Sequence, residues 1–242
     1  MKTAGVVFLL LLSGCLAASA ATLGGLGMRD SLTESEGLSR LSVGLDYTQV
    51  KRTMSLDSGG TLDLDARIIA AQFGYDVLPW LTAFATAGRS EAKSEAESGY
   101  HDGEFKWSLG LKANWWHYDI EDPDFLEGRL SIQSTAEFAQ FRSGSGNEEI
   151  KWNEGYADLT LNYEVFATRM KDIAQYPYSL VLYAGPAVSK INGSAGPADF
   201  SEDRLVGLVG GVDLYISHNL SLGGQIQHFD GNTLSASLRY HF

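Results

Sequence analysis

Residues 233–242 read TLSASLRYHF, and this stretch decides the fold. One set of alternate positions is apolar and the other is polar: Leu234, Ala236, Leu238, Tyr240 and Phe242 against Ser235, Ser237, Arg239 and His241. Because successive side chains of a β-strand point to opposite faces, a period of two predicts a strand. This strand has one apolar face and one polar face, and it finishes on an aromatic residue.

The same alternation recurs upstream, most clearly in residues 105–115, which read FKWSLGLKANW. Phe105, Trp107 and Leu109 share one face, while Lys106 and Lys112 share the other. If the strand belongs to a closed barrel with its apolar face outward, both lysines face the interior, which must then be polar. Transmembrane barrels have this arrangement.

Ten segments show the alternation, and we predict an all-β, antiparallel, up-and-down transmembrane barrel of about ten strands over residues 38–242. The segments are 39–48, 66–75, 81–90, 104–118, 129–142, 152–166, 178–191, 204–216, 220–229 and 233–242. Each is at least as long as the roughly 9 to 11 residues that a tilted strand needs to cross the hydrocarbon. An eight-stranded barrel, with two segments outside the wall, is the alternative.

The connections between these segments alternate in character, as expected for the two sides of a membrane. Residues 76–80, 119–128, 167–177 and 217–219 are predicted periplasmic turns, and 55–65, 91–103, 143–151, 192–203 and 230–232 are predicted extracellular loops rich in Gly, Ser and acid. Aromatic residues are expected in girdles at both interfaces. The expected inner girdle contains Phe73, Tyr75, Trp80, Trp115, Trp116, Tyr118, Tyr163, Phe166, Tyr178, Tyr215, Tyr240 and Phe242; the outer one contains Phe105, Trp107, Phe138, Phe141, Trp152, Tyr156 and Phe229.

This architecture and the Tyr240-His241-Phe242 ending resemble the small outer-membrane β-barrels of Gram-negative bacteria, of the OmpA/OmpX-like kind. The resemblance implies an integral outer-membrane protein that contacts outer-membrane lipids and is monomeric. It also implies that Leu238, Tyr240 and Phe242 form a signature read by the barrel insertion machinery.

The first residues have the layout of a secretory signal peptide, with Lys2 followed by an apolar run and then small residues. Cleavage after Ala20 would give a signal peptide of residues 1–20. Residues 12–15, LSGC, also match a bacterial lipobox, in which residues 1–14 are removed and Cys15 is lipidated. Residues 21–37 are expected to form a flexible periplasmic leader or a small plug, and if Cys15 is lipidated they become a tether from the inner leaflet of the outer membrane to the first strand.

Composition excludes several classes of function. After the signal, no apolar run reaches the roughly 18 residues of a spanning helix. The formal charge of −12 argues against a nucleic-acid partner. Cys15 is the single cysteine, so a disulfide and a cysteine-based metal site or nucleophile are not expected. The glycines of 207–211 are not followed by Lys-Ser/Thr, so no phosphate loop and no cofactor are predicted.

The predicted inward face carries charges of both signs, which can pair and hydrogen-bond across a narrow interior. These residues are Asp46, Lys106, Lys112, Glu137, Asp158, Glu164, Asp213 and Arg239. The favoured interpretation is a polar network that fills the lumen, because small barrels are filled by their own side chains. The alternative is a porin-like, narrow, passive channel that prefers cations.

No catalytic residues are predicted, and the favoured function is a non-enzymatic one at the cell surface. The barrel would stabilise the outer membrane or present acidic loops to an extracellular protein or surface ligand. A surface hydrolase is a further alternative, with His101-Asp102 or His228 and Asp230 as general base and orienting acid. Those residues match an omptin by type alone, and residues 228–232, HFDGN, lack the His-x-Ser-Asn signature of lipid A deacylation.

Overall fold

The computed structural model describes residues 40–94, 99–120, 128–144, 149–166, 179–217 and 219–242. The expected signal peptide, Cys15 and the leader lie outside this part of the chain. Within it, eleven strands form one sheet: β1 (Leu41–Leu56), β2 (Thr61–Leu78), β3 (Leu81–Ser94), β4 (Glu104–Ile120), β5 (Gly128–Ser143), β6 (Ile150–Phe166), β7 (Ser179–Ala195), β8 (Ala198–Ser201), β9 (Val206–Tyr215), β10 (Leu220–His228) and β11 (Asn232–His241). No helix in the described residues is long and apolar enough to span a membrane.

The sheet closes on itself because the last strand pairs with the first. β11 is antiparallel to β1 from the pair Ser42 and His241 up to the pair Val50 and Thr233. All other long strands pair antiparallel with their neighbours, in the order β1 to β7 and then β9 to β11. The predicted ten-stranded antiparallel barrel is therefore confirmed. The alternative of an eight-stranded barrel does not hold for the barrel as a whole.

The polarity of this barrel is inverted relative to a water-soluble fold. Its outer wall exposes large apolar side chains, including Leu45, Ile69, Leu109, Leu161 and Leu222. The buried inner face instead carries Gln72, Thr86, Lys106, Asn162 and Arg239, among other polar residues. A surface of this kind is stable only where hydrocarbon surrounds it, since exposed apolar patches of such extent are unfavourable in water.

The wall of the barrel is not equally tall all round. β1 to β7 have 14 to 18 residues, whereas β9, β10 and β11 have only 9 or 10. The four-residue strand β8 lies above these three short strands and pairs with both β7 and β1. The barrel therefore has ten strands across the lower part and eight, β1 to β8, at its extracellular end. We call these parts the lower barrel and the upper barrel.

The upper barrel includes a segment that the sequence predicted to be a loop. Residues 192–203 contain the end of β7, a hairpin with Gly196 at a φ of 56°, and β8. Below β8 the chain returns to β7, with Glu202 N donating to Ile191 O and Ser189 N donating to Leu205 O. The loop prediction is wrong for this segment because Gly and Ser, which signal turns, here occupy strand positions.

The aromatic residues of the lower rim lie outside as predicted, including Trp80, Trp115, Trp116, Tyr118 and Tyr240, all exposed. Four residues of the predicted outer girdle, Phe141, Trp152, Tyr156 and Phe229, instead point inward and are buried. Tyr215, predicted for the inner girdle, is also buried inside. The girdle prediction was wrong at these positions because distance from a loop does not report which face a strand residue occupies.

Candidate functional site

The lumen is the first candidate site, because it brings together charged residues from many strands. We divide it by height into a lower cluster around Arg239, a middle cluster around Lys106 and an upper cluster around Arg52. Above the upper cluster the interior becomes apolar.

In the lower cluster, Arg239 of β11 reaches β2 on one side and β9 on the other, each two strands away in the sheet. Its Nη1 lies 4.0 Å from Asp213 Oδ1, its Nε donates to Gln72 Oε1 at 3.3 Å, and its Nη2 donates to Ser237 Oγ at 2.9 Å. Lys112 of β4 is buried with Asp213 and Asp158 as its acidic neighbours. Basic groups from β4 and β11 thus meet acids from β6 and β9.

Asp158 is held from two sides, since Thr135 N donates to its Oδ1 and the Tyr156 hydroxyl donates to its Oδ2, both at 3.0 Å. Glu164, nearer the periplasmic end, accepts a hydrogen bond of 3.0 Å from Ser179 Oγ. Both carboxyl oxygens of Asp158 are thus engaged, as burial of charge favours, and Ser179 engages one oxygen of Glu164.

The middle cluster is centred on Lys106 of β4, which is 1% exposed. Its Nζ donates to Thr86 Oγ1 and, at 3.3 Å, to Ser108 Oγ. Glu137 and Asp46 are its acidic neighbours, and the ring of Phe141 lies above it with its centroid 5.4 Å from Nζ. Lys106 therefore lies at the transition from the polar lumen to the apolar region above.

The upper cluster joins five strands and the residue that follows β8 through one guanidinium group. Arg52 of β1 donates to Thr233 Oγ1 at 3.1 Å, Ser189 Oγ at 2.7 Å and Gln227 Oε1 at 3.3 Å. It forms ion pairs with Glu202 at 2.9 Å and Glu154 at 3.3 Å. Its guanidinium carbon also lies 4.3 Å from the centroid of the Phe229 ring.

Arg52 is placed where the barrel changes from ten strands to eight. It lies two residues above the last β1–β11 pair, Val50 and Thr233. The turn between β10 and β11 packs against β1 at this height, since a Cβ on Gly231 would come within 2.1 Å of Lys51 O. Glu202 follows β8 and lies outside the membrane-spanning strands; burial raises its pKa to about 7, opposed by the Arg52 guanidinium.

An apolar seal closes the lumen above these clusters. We use this name for Met54, Leu64, Phe141, Trp152, Ile191 and Phe200, all at most 2% exposed. The rings of Phe141 and Trp152 are stacked, with centroids 4.7 Å apart and planes 11° apart. Between the seal and the polar network, next to Glu137, Glu154 and Gln227, a cavity of only about 10 Å³ is left, enough for about one water molecule.

The eight charged residues predicted for the lumen all lie on the inner face of the barrel, distributed over these clusters and Glu164. Sequence reasoning missed Arg52, Glu154 and Glu202. Arg52 and Glu202 lay beyond the predicted ends of their strands. Glu154 has the same parity as Asp158 and Glu164 in β6, and that parity could have identified it.

The residues considered for hydrolysis lie in separate places. His101 precedes β4, whereas His228 ends β10, and β3, β2, β1 and β11 separate the two strands around the sheet. His228 is exposed, and its Nδ1 lies 2.9 Å from Asn232 Oδ1. In the part of the chain that the structure describes, no group of three or more His, Cys, Asp or Glu could hold a metal ion.

The predicted insertion signature lies on the outer wall, since Leu238, Tyr240 and Phe242 are all more than 40% exposed. Tyr240 and Phe242 pack edge to face at 5.1 Å, and Phe242 N donates to Leu41 O at 3.1 Å. These three residues therefore line the outside of the lower seam between β11 and β1.

Comparison with known proteins shows likeness at the level of solved structures. No protein-family model and no curated relative matches the sequence. The outer membrane protease OmpT from Escherichia coli is 11% identical, with 86% of this chain and 99% of that chain covered and a TM-score of 0.39. Neisserial surface protein A is 16% identical over 86% and 100%, with a TM-score of 0.33. The transport unit of the autotransporter AIDA-I from Escherichia coli is 11% identical over 90% and 96%, with a TM-score of 0.42.

A closed barrel that is apolar outside and charged inside needs a surrounding hydrocarbon layer, and closure leaves no unpaired edge strand in that layer. Bacterial outer membranes are where such antiparallel barrels occur. The chain is an integral protein of the bacterial outer membrane.

Proposed function

We propose that the protein is a non-enzymatic, non-conducting outer-membrane barrel with a structural or surface-interaction role carried out at its extracellular end. Within the outer-membrane barrels we assign it to the small OmpA/OmpX-like kind. The eight strands of the upper barrel support that assignment, since barrels of this size are filled by their own side chains.

One observation carries the proposal: the apolar seal stands across the lumen. A hydrated ion would have to pass between Phe141, Trp152 and Phe200, which are almost fully buried against one another. Below the seal, ion pairs join Arg52 to Glu154 and Glu202 and join Arg239 to Asp213 across the lumen. In the part of the chain that the structure describes, the seal and these ion pairs support a lumen closed to substrate, and function is then expected at the surface.

The surface that the upper barrel offers is rich in acid. Asp57, Asp63, Glu104, Asp199 and Asp203 are exposed at or near the extracellular rim. A partner with a basic surface would be attracted to this rim, with the strongest effect at low ionic strength.

The lumen proposal is tested by conductance of the purified barrel in a planar lipid bilayer. We expect no steady current from the wild type. In a Phe141→Ala, Trp152→Ala variant that retains the heat-modifiable gel mobility of a folded barrel, we expect brief openings. Steady, cation-selective openings of the wild type would overturn the proposal.

Those openings would instead support the second candidate, a narrow cation-preferring channel. The observation that favours it is the excess of carboxyl groups over cations in the lumen, with Asp46, Glu137, Glu154, Asp158 and Asp213 facing inward. Replacing Glu137 and Glu154 by Gln would then reduce cation selectivity.

The surface role is tested on cells that express the barrel. An Asp57→Asn, Asp199→Asn, Asp203→Asn variant should adhere less to a surface coated with a basic protein, and the difference should vanish at high salt. Asp119→Asn, near the opposite end of β4, is the matched control. Equal adherence of all forms, together with unchanged leakage of periplasmic enzymes on deletion of the protein, would contradict the surface and structural roles.

A hydrolytic activity abolished by His228→Ala or His101→Ala would contradict the non-enzymatic assignment.

A further inference from the structure

We propose that the outer wall formed by β5, β6 and β7 binds an anionic, phosphorylated glycolipid of the outer leaflet. Its phosphate would lie at Arg142 and Lys151, its sugar hydroxyls along a row of amides beside them, and an acyl chain in an apolar groove below. This inference goes beyond the proposed function, because it concerns the lipid-facing wall rather than the lumen or the rim.

The upper part of the site is a polar depression of about 520 Å³ on the outside of the upper barrel. One row of outward residues across its strands is Gln140, Asn153, Asn192 and Ser201, which are register partners from β5 to β8. The next row up is Arg142, Lys151, Ser194 and Asp199. Amides, hydroxyls and a carboxylate in rows can donate to and accept from sugar hydroxyls.

The second row begins with two cations placed directly opposite each other. Arg142 and Lys151 are register partners in β5 and β6, and both are exposed. Like charges directly opposite across two strands destabilise a sheet. Glu149 is 3.7 Å from Lys151 Nζ and compensates one charge in part. A phosphate between the two side chains would turn the remaining repulsion into attraction.

A third cation lies lower on the same wall, two outward rows below this pair. Lys190 of β7 is exposed and is the register partner of Gly155. Three cations on adjoining strands stand out in a chain whose formal charge is −12. The depression is lined by Asp57 and Asp199 as well as by Arg142 and Lys151, so the cationic side that complements an anion is the one formed by β5 and β6.

The lower part of the site is an apolar groove of about 670 Å³. Its outward residues include Leu109, Phe138, Gly155, Ala157 and Val188. A Cβ added to Gly155 would meet no atom within 4 Å, so the glycine leaves space on the lipid side. A groove of this kind fits an acyl chain, which gains contact with apolar side chains on both flanks.

The headgroup and hydrocarbon levels meet between these two parts. Phe138 and Gln140 are successive outward residues of β5, as are Gly155 and Asn153 of β6, so the groove and the depression adjoin. Trp107 lies at this junction, with its ring 5.9 Å from that of Phe138 and its Nε1 donating to Gln140 Oε1 at 3.0 Å. A tryptophan with its ring in the apolar part and its N–H in the polar part marks a membrane interface.

The two parts together specify the occupant. A free phosphate or soluble sugar would use the depression but not the groove, and an ordinary neutral lipid would use the groove but not the cations. An amphiphile with a phosphorylated sugar headgroup uses both, and its headgroup is at the correct height.

The test is native mass spectrometry of the barrel released from vesicles of phosphatidylethanolamine that contain diphosphoryl lipid A. We expect one lipid A molecule retained per barrel, and retention reduced about fivefold by Lys151→Gln and about 20-fold by Arg142→Gln with Lys151→Gln, since each cation near a charged headgroup contributes about 1 kcal/mol. The wild-type barrel should retain dephosphorylated lipid A as weakly as the double variant retains diphosphoryl lipid A.

The groove is tested separately with Gly155→Leu, which fills the space without displacing protein atoms. This variant should reduce lipid A retention at least fivefold and leave binding of inorganic phosphate to the barrel unchanged. Gly224→Leu is the matched control, because Gly224 lies on β10 of another wall and its added Cβ would make only ordinary contacts of 3.9 Å. Lys51→Gln on β1 is the control for Lys151→Gln.

Equal retention by variants and wild type, or equal losses in the controls, would overturn the proposal. Dimers in place of bound lipid would also overturn it and assign the wall to contact between copies. Retention of phosphatidylglycerol as strongly as lipid A would overturn the sugar component. None of these results changes bilayer conductance, so failure here and failure of the proposed function are distinguishable.

Discussion

The lower and upper barrels are built from the same strands but have opposite polarity. In the lower barrel, β5 directs Thr135 and Glu137 inward and Phe138 outward. A few residues higher, the same strand directs Ala139 and Phe141 inward and Gln140 and Arg142 outward. The side-chain period of two is uninterrupted, yet the apolar face changes from outside to inside.

This reversal shows that the surroundings, not the strand, determine which face is apolar. β2 repeats it: Leu64, Ala66 and Ile68 face inward in the upper barrel, whereas Ile69 and Phe73 face outward in the lower one. The upper barrel obeys the rule of water-soluble proteins and has an apolar core. The lower barrel obeys the rule of membrane barrels.

The largest effect is expected from breaking the upper core. Trp152→Ala removes a buried ring and its stack on Phe141, and should lower the free energy of unfolding by about 4 kcal/mol. Denaturant unfolding in detergent, followed by tryptophan fluorescence and gel mobility, measures this change. Asn153→Ala, the next residue on the outer face, should change stability by less than about 0.5 kcal/mol. Similar losses for both would show that the upper barrel has no core of its own.

The next largest effect is expected from placing an arginine on the outer face of the lower barrel, compared with the outer face of the upper barrel. Leu111→Arg puts a charge on the lipid-facing wall of the lower barrel and should cost about 3 kcal/mol in a bilayer. Thr53→Arg, on the outer face of β1 in the upper barrel, should cost close to zero because the side chain meets water. Unfolding in vesicles measures both, and an equal cost would place the two residues in the same medium.

A smaller effect is expected from pH at the junction of the two parts. The folded pKa of Glu202 is raised from 4.5 to about 7 by burial, so the folded state binds this proton more tightly than the unfolded state. Its contribution to stability is complete below about pH 4.5 and is lost as pH rises through about 7, a fall on the order of 2 kcal/mol. Glu202→Gln should remove this part of the pH dependence in denaturant unfolding, and Glu104→Gln should retain it. A wild-type curve parallel to that of Glu202→Gln would contradict the pKa assignment.

The lower barrel was largely predictable because its signal is local. Alternation such as that of residues 105–115 gives strand, face and inverted polarity from a short window. The inward orientation of the charged lumen residues followed from the same alternation of strand positions, once a barrel with an apolar outer face was assumed. Lys106, Glu137 and Asp213 could therefore be placed inside without knowing their partners.

The upper barrel could not be predicted in the same way because its features are non-local. The extension of β1 past Thr48 to Leu56 is polar on the outer face and resembles the start of a loop. β8 is recognisable only through its pairs with β1 and β7, and its sequence, ADFS, carries little strand signal. The outward pair of Arg142 and Lys151 becomes visible only when β5 and β6 are in register.

Two strands close the sheet by pairing with β1, and each pairs with a different part of β1. β11 pairs with residues 42–50, whereas β8 pairs only with Ser55 and Leu56. Hydrogen exchange should therefore be asymmetric, with the amides of the two-residue upper seam opening at a lower free energy than those of the nine-residue lower seam. The protein can thus fluctuate at its outermost end, where Phe200 of the apolar seal is the register partner of Leu56, while the wall embedded in lipid stays continuous.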